Sequence, residues 1–364
     1  MKKYTLALIA ASSLLLASCS DSSSPSTSTG AAASGTVSAT ATGEGVTVEN
    51  CGEQVTFAKA DNLFVNDGNI ISIVLSAGAK DNIKYVSSVQ RDTDILSAKY
   101  GKDVVSSLND VAEKYPSIEE VVSKQPDIYV AGWNYGFDEG KNLTPDALKD
   151  QGIDSYLLTE SCRQEGSTKR GIVDPWSAVE TDVTNIGAIT GNAETAEKVV
   201  KDQQDRLEKL HNAKQPEKQP VAFVFDSASD TIFTSGKFGA PQAILEAAGA
   251  KNGAEDVEDT WTKVGWEHLT ATAPDVFVFV EYPGQEFEEK VKILKENPVT
   301  KDLPAVKENR FINLPYAMWT SGPLNIDAAE HVRKGMEKFK LVPESDIKPE
   351  LELPSSVPGL EYFQ

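Results

Sequence analysis

From about residue 46 onward, short apolar runs alternate with segments whose apolar residues recur every three to four positions. Runs at 54–58, 83–87, 128–131 and 155–159 predict strands, with helical segments at 69–76 and 118–123 between them. The rhythm resumes with strand-like runs at 221–225, 276–280 and 311–314, separated by helical segments at 242–248 and 289–295. Alternation of this kind predicts an α/β fold: two Rossmann-like lobes with largely parallel sheets. Between the halves, residues 193–213 are rich in Ala, Glu, Lys, Gln and Leu, all good helix formers, with Asn192 or Thr195 placed to cap them. One helix of that length spans about 30 Å and suits a strut between lobes. The reading divides the chain into an N-terminal lobe (46–191), a connecting helix (192–214), a C-terminal lobe (215–342) and a Pro-rich tail (343–364). That tail either packs on a lobe or stays loose.

Two motifs occur in both halves. The string ending Ala77-Gly78-Ala79-Lys80 matches the one ending Ala248-Gly249-Ala250-Lys251. Each predicts a helix that stops at a left-handed glycine. Likewise Glu119 precedes Pro126-Asp127-Ile128 at the same spacing at which Glu267 precedes Pro274-Asp275-Val276. Each predicts a short helix, a proline stop and a buried strand. The two motifs keep their order in both halves, so the halves read as related lobes.

The first 18 residues have two lysines followed by an apolar stretch too short to span a bilayer, the pattern of a secretory signal peptide. Its end, Leu16-Ala17-Ser18-Cys19, resembles the bacterial lipobox, in which the cysteine is lipidated. Residues 19–45 are mostly Ser, Thr, Ala and Gly and read as a tether with a reach of roughly 28 Å. This places the protein at a cell membrane, lipid-anchored on its extracytoplasmic face. Cys51 and Cys162 remain, and two thiols in an exported chain are expected to pair as a structural disulfide. Acidic residues outnumber basic ones 55 to 35, a net charge of −20, which disfavours nucleic acid and anionic lipid as partners. The three histidines have no metal-ligand spacing, so no protein-held metal is expected.

Together, the lipobox, the two lobes, the mid-chain helix and the paired Glu-x6-Pro-Asp motifs resemble the substrate-binding lipoproteins of bacterial iron-siderophore and cobalamin ABC importers. The resemblance covers about residues 46–342. It is nearest to actinobacterial ferric-siderophore binders through Val48-Glu49-Asn50-Cys51-Gly52, Gly132-Trp133-Asn134-Tyr135-Gly136, Thr159-Glu160-Ser161-Cys162 and Phe233-Thr234-Ser235-Gly236. It implies a monomeric receptor that delivers a ferric siderophore to an ABC permease, with iron present only inside the chelate and no cofactor. It also implies that Glu119 and Glu267 dock on the permease, with Glu120 as a neighbour able to share the role.

The ligand site of two such lobes lies between them, on loops after the C-terminal ends of strands. Aromatic residues gather there: Trp133 and Tyr135, Trp261, Tyr282, Tyr316 and Trp319, with the Trp residues read as loop residues. Arg163 and Arg170, and also Arg91, are candidate contacts to an anionic ferric complex, and Asn134 is a candidate hydrogen-bond donor. Cobalamin and haem are the competing cargoes, and a haem would take Tyr282 or Tyr316 as its axial ligand. A reading of a different class, an exported α/β hydrolase, fails for want of G-x-S-x-G, the nearest string having Asn134 at the nucleophile position. Asp327 and His331 share a helix, where His331 is expected to face solvent or the neighbours of Glu330.

Overall fold

Every residue of Ile128–Trp133 except the last is buried, as a central strand covered on both faces requires. In the computed structural model, which describes residues 40–42, 45–171 and 173–364, this strand pairs in parallel with Leu63–Asn66 on one side and Asp154–Leu157 on the other. Ile83–Ser87 and Asp110–Ala112 extend the sheet beyond Leu63–Asn66. In the C-terminal lobe Val276–Glu281 plays the same part. It lies between Val221–Phe225 and Phe311–Pro315, with Lys251–Asn252 at the edge, all parallel. The chain is thus a two-lobed α/β protein. The expected signal peptide and Cys19 lie outside the described residues. Of the expected tether, Thr40–Thr42 forms a strand that pairs with the next one.

The repeated motifs perform the same local work in both lobes. Gly78 and Gly249 both take positive φ at the ends of their helices, at 82° and 92°. The short helices Ile118–Lys124 and Glu267–Thr272 both end on a left-handed residue, Gln125 and Ala273. Each following aspartate then clamps the start of the neighbouring strand. Asp127 Oδ2 accepts from the Asn62 backbone N–H at 2.9 Å, and Asp275 Oδ2 from that of Val221 at 2.9 Å.

Ala193–Asn212 packs along Pro175–Ile189, a helix whose extent the sequence pattern did not show, and touches helices of both lobes. Its Arg206, buried at 2% exposure, donates to both oxygens of Glu330 (2.9 and 2.7 Å) and to Asp327 (2.6 Å). Asp327 also accepts from Lys99 of the N-terminal lobe at 2.9 Å. One ionic knot therefore joins the connecting helix, the last long helix Leu324–Lys338 and the N-terminal lobe.

The tail packs rather than hanging loose: Ile347, Leu351, Leu353, Val357 and Phe363 are buried. Of the two environments expected for His331, solvent is not the one found. The residue is buried beneath the tail, and its Nε2 donates to the Leu351 carbonyl at 2.7 Å. Two further sheets stand outside the repeat. A meander of Thr40–Thr42, Gly45–Asn50 and Glu53–Phe57 is stapled to the N-terminal lobe by the Cys51–Cys162 disulfide. An antiparallel sheet of Ser227–Ala228, Ile232–Ser235 and Trp261–Val264 lies in the C-terminal lobe. Among the described residues, no helix is long and apolar enough to cross a membrane.

Candidate functional site

Between the lobes lies a cavity of about 740 Å³, lined from both sides. Its walls follow the C-terminal ends of parallel strands. Asn134 and Tyr135 come after Ile128–Trp133, Tyr282 after Val276–Glu281, Tyr316 after Phe311–Pro315 and Asp226 after Val221–Phe225. The antiparallel sheet adds Phe233, Trp261 and Lys263, with the two rings stacked at 6.0 Å. Tyr115 and Arg170 enter from loops of the N-terminal lobe.

The Gly132-Trp133-Asn134-Tyr135-Gly136 string folds as a tight turn in which Gly132 and Tyr135 exchange backbone hydrogen bonds of 3.0 and 2.9 Å. Asn134 takes the left-handed φ of 66° that the turn demands, a conformation asparagine tolerates. Gly136, at φ 116°, has no room for a Cβ, which would lie 2.5 Å from Asn66 Nδ2. That amide in turn donates to the Tyr135 carbonyl at 2.8 Å and fixes the turn to the sheet. Across the turn, the Arg170 guanidinium lies 5.4 Å from the Tyr135 ring centre and donates to Thr260 Oγ1 of the other lobe at 2.6 Å.

Asp67 organises the cavity floor. Its carboxylate accepts from Arg91, from the Tyr115 hydroxyl at 2.6 Å and from the backbone N–H of Gly68 at 2.9 Å. Arg91 stacks 4.2 Å from the Tyr316 ring centre and 5.3 Å from that of Tyr282. Beside it, fully buried Asp92 accepts from the Ala317 backbone N–H at 3.0 Å, a direct bond between lobes. Burial, with Asp67 adding to it, pushes the Asp92 carboxyl up to about 7 against the opposing pull of Arg91. Burial and then the charge of Asp67 raise the phenols of Tyr115 and Tyr316. Burial, followed by the charge of Glu160, raises Tyr135. These three therefore stay neutral and act as hydrogen-bond donors and flat apolar faces rather than as phenolates.

Of the ten residues expected at the ligand, the structure brings Asn134, Tyr135, Arg170, Trp261, Tyr282 and Tyr316 to the cavity wall. Arg91 stands behind the two tyrosines, already paired with Asp67. The other three do not line the cavity. Trp133 is covered by the Arg163 guanidinium at 3.6 Å, and Arg163 pairs with Glu139 at 2.5 Å. Trp319 is fully buried, its indole donating to the Phe279 carbonyl at 3.0 Å. An indole with a backbone acceptor and no exposure is core, so a loop position alone misled. Trp261 opens a strand rather than sitting in a loop. Tyr115, Asp226, Phe233 and Lys263 were not anticipated. Asp226 was open to discovery because it directly follows an expected strand.

Glu119 and Glu267 are both exposed, in the first turns of the two repeated short helices. Neither makes a hydrogen bond or ion pair among the described residues. Glu120 is occupied: it accepts from the Ser117 N–H at 2.7 Å while Ser117 caps the helix in return. The same residues hold no cluster of metal-ligating side chains.

Comparison with known proteins bears on the fold. The sequence profile described as periplasmic binding protein matches residues 70–317, more than half of the chain. Among solved structures, a periplasmic binding protein from Veillonella parvula is 22% identical, covering 79% of this chain and 96% of its own, with a TM-score of 0.66. An ABC-type Fe3+-hydroxamate transport system protein from Saccharomonospora viridis is 19% identical over 80% of this chain and 98% of its own, TM-score 0.65. A molybdate periplasmic binding protein from Haemophilus influenzae is 15% identical over 81% and 92%, TM-score 0.63. At these identities the likeness establishes the fold. No curated protein shows significant sequence similarity.

Proposed function

The chain belongs to the periplasmic binding protein family, and from that premise we propose that it captures a ferric siderophore between its lobes and hands it to an ABC permease. Members of this family bind solutes and are not enzymes. The observation that carries the cargo is the composition of the cavity. About 740 Å³ is walled by Tyr115, Tyr135, Phe233, Trp261, Tyr282 and Tyr316, large flat faces with hydroxyls at their edges. Such walls suit a bulky, rigid chelate whose metal is already fully ligated, so that the protein grips the ligand shell and supplies no atom to the iron.

Exposed Glu119 and Glu267, placed alike at the helix starts of both lobes, support a role in docking to basic groups of the permease. In this reading the protein is anchored at the outer face of the membrane through Cys19 and acts as a monomer. Titrating the purified protein with ferric hydroxamate, catecholate and citrate-type siderophores, and with cobalamin and haem, tests the cargo through tryptophan fluorescence. Saturable quenching by one ferric class, lost in Trp261→Ala, is expected. Quenching by cobalamin or haem alone would keep the receptor role and overturn the cargo.

A further inference from the structure

One loop of the N-terminal lobe, residues 163–171, reaches across the cleft. It holds neither helix nor strand, and residues 165–169 stand in solvent, while Cys162 just before it and Arg170 near its far end are buried. Cys162 is bonded to Cys51, so the near end moves with the N-terminal lobe. The loop closes on itself: the Gln164 backbone N–H donates to the Lys169 carbonyl at 2.7 Å, and its side-chain amide to the Arg170 carbonyl at 3.1 Å. Its far end is seated on the C-terminal lobe. Arg170 donates to Thr260 Oγ1 at 2.6 Å. Gly171, at φ 82°, lies so near Phe238 that a Cβ on it would come within 2.3 Å of the Phe238 Cβ. The receiving surface is firm. The backbone N–H groups of Gly236 and Phe238 donate to the carbonyls of Thr260 and Asp259 at 2.8 and 3.1 Å, and Asn252 Nδ2 donates to the Gly236 carbonyl at 3.2 Å.

Other hydrogen bonds between the lobes lie elsewhere. Asn69 donates to the Ser321 carbonyl at 2.7 Å, Asp92 accepts from Ala317, Lys99 donates to Asp327, and Ser356 of the tail bonds Asp94 at 2.6 Å. All of these leave from residues 69–99 of the N-terminal lobe. Two bodies tied at one such cluster can still turn about it, and a tie at a second place removes that freedom. Thr260 directly precedes Trp261–Val264, the strand that brings Trp261 to the cavity, so the second tie holds the aromatic wall against the N-terminal face. Arg170 lines the cavity, whereas Thr260 is fully buried and does not. We propose that residues 163–171 form a latch across the cleft, with Arg170 caught by Thr260 and Gly171 seated on Phe238, and that lifting this latch sets the rate at which a bound chelate leaves.

Control of release rests on the ferric-siderophore reading and the latch itself does not, so the experiment reads the two apart. Thr260→Val removes the acceptor and keeps the side-chain shape without touching the cavity wall. In the ligand-free protein, hydrogen exchange over residues 163–171 should rise at least about tenfold, as the loss of one buried hydrogen bond to a charged group allows. The strands Ile128–Trp133 and Val276–Glu281 should exchange as before. Stopped-flow tryptophan fluorescence with ferric hydroxamate, catecholate and citrate-type siderophores then follows release. The dissociation rate of the bound chelate should rise about tenfold in Thr260→Val, with the association rate moving less than about threefold. Thr260→Ser, which keeps the hydroxyl, should restore both readouts. Gly171→Ala, whose methyl must push Phe238 away, should give the same split from the loop side and serves if Thr260→Val does not fold. Unchanged exchange in the folded variants overturns the latch. Raised exchange with unchanged dissociation overturns its control of release, and so does an association rate that falls as far as dissociation rises, the mark of a damaged site. Binding of no ferric chelate contradicts the siderophore reading, while exchange in the ligand-free protein still decides the latch.

Discussion

The two lobes use the same motifs to build themselves and different ones to face the ligand. In both, a left-handed residue ends a short helix and an aspartate clamps the next strand, at nearly the same distances. Neither clamp reaches the cavity. Part of the lining follows equivalent strands, Asn134 and Tyr135 in one lobe and Tyr282 in the other, but the pinned Asn134–Tyr135 turn, the Arg170 loop and the antiparallel sheet with Phe233 and Trp261 have no counterpart across the cleft. The N-terminal face is ordered by buried polar bonds, centred on Asp67. The C-terminal face sets Phe233, Trp261, Tyr282 and Tyr316 among small and polar residues, and Tyr282 is left 39% exposed. Shared elements set the scaffold, and the departures from symmetry set the chemistry.

The comparison can be broken at several points, the largest first. Removing the staple found only in the N-terminal lobe, with Cys51→Ala and Cys162→Ala together, should cost about 2–5 kcal/mol in urea unfolding. Hydrogen exchange should rise in the N-terminal lobe before it rises in the strands of the other. Uniform loosening would mean the lobes share one cooperative unit. At the cavity, Trp261→Ala should weaken chelate binding by about 10–100-fold, and Trp133→Ala by less than about threefold. The reverse order would move the site toward Trp133. Asp127→Ala and Asp275→Ala should each cost about 1–3 kcal/mol, Asp127→Ala somewhat more because its carboxylate accepts from the backbone N–H groups of both Asp61 and Asn62. A larger loss at Asp275, or none at either site, would end the structural equivalence of the two motifs. Ser117→Ala should cost about 1 kcal/mol, because the C-terminal helix has Trp266 at the cap position with no side-chain bond and only the N-terminal lobe has a cap to lose.

A pH-dependent effect concerns Asp92, which joins the lobes. Its folded value, about 7, exceeds that of an unfolded aspartate, so the folded state holds its proton more tightly. The stability that this contributes is complete below about pH 4 and fades as pH rises to about 7. Asp92→Asn should therefore compare better with the unaltered protein at about pH 8 than at about pH 5, measured by urea midpoints. The opposite trend would mean that Arg91 and the Ala317 N–H, rather than burial, govern the group.

The parallel strands were legible because their central members are apolar throughout, and the helix stops because Gly and Pro-Asp mark them. The antiparallel sheet was not: Ile232–Ser235 and Trp261–Val264 are four residues each, too short to show a period. Trp319 misled for a related reason. Its sequence position matches that of a cleft residue, and only the three-dimensional packing supplies the Phe279 acceptor that buries it. Nothing in the sequence pairs Arg91 with Asp67 or Arg163 with Glu139, because those partners lie 24 residues away in each case. Tyr115 carried no sequence signal beyond standing in a loop after a short strand.

The most direct test is to locate the metal. Crystals of the protein grown with a ferric trishydroxamate, measured at the iron absorption edge, should show one anomalous peak inside the cavity between Tyr135 and Trp261, with no protein atom in its coordination shell. A peak bonded directly to a tyrosine oxygen, or chelate bound only outside the cleft, would contradict the account.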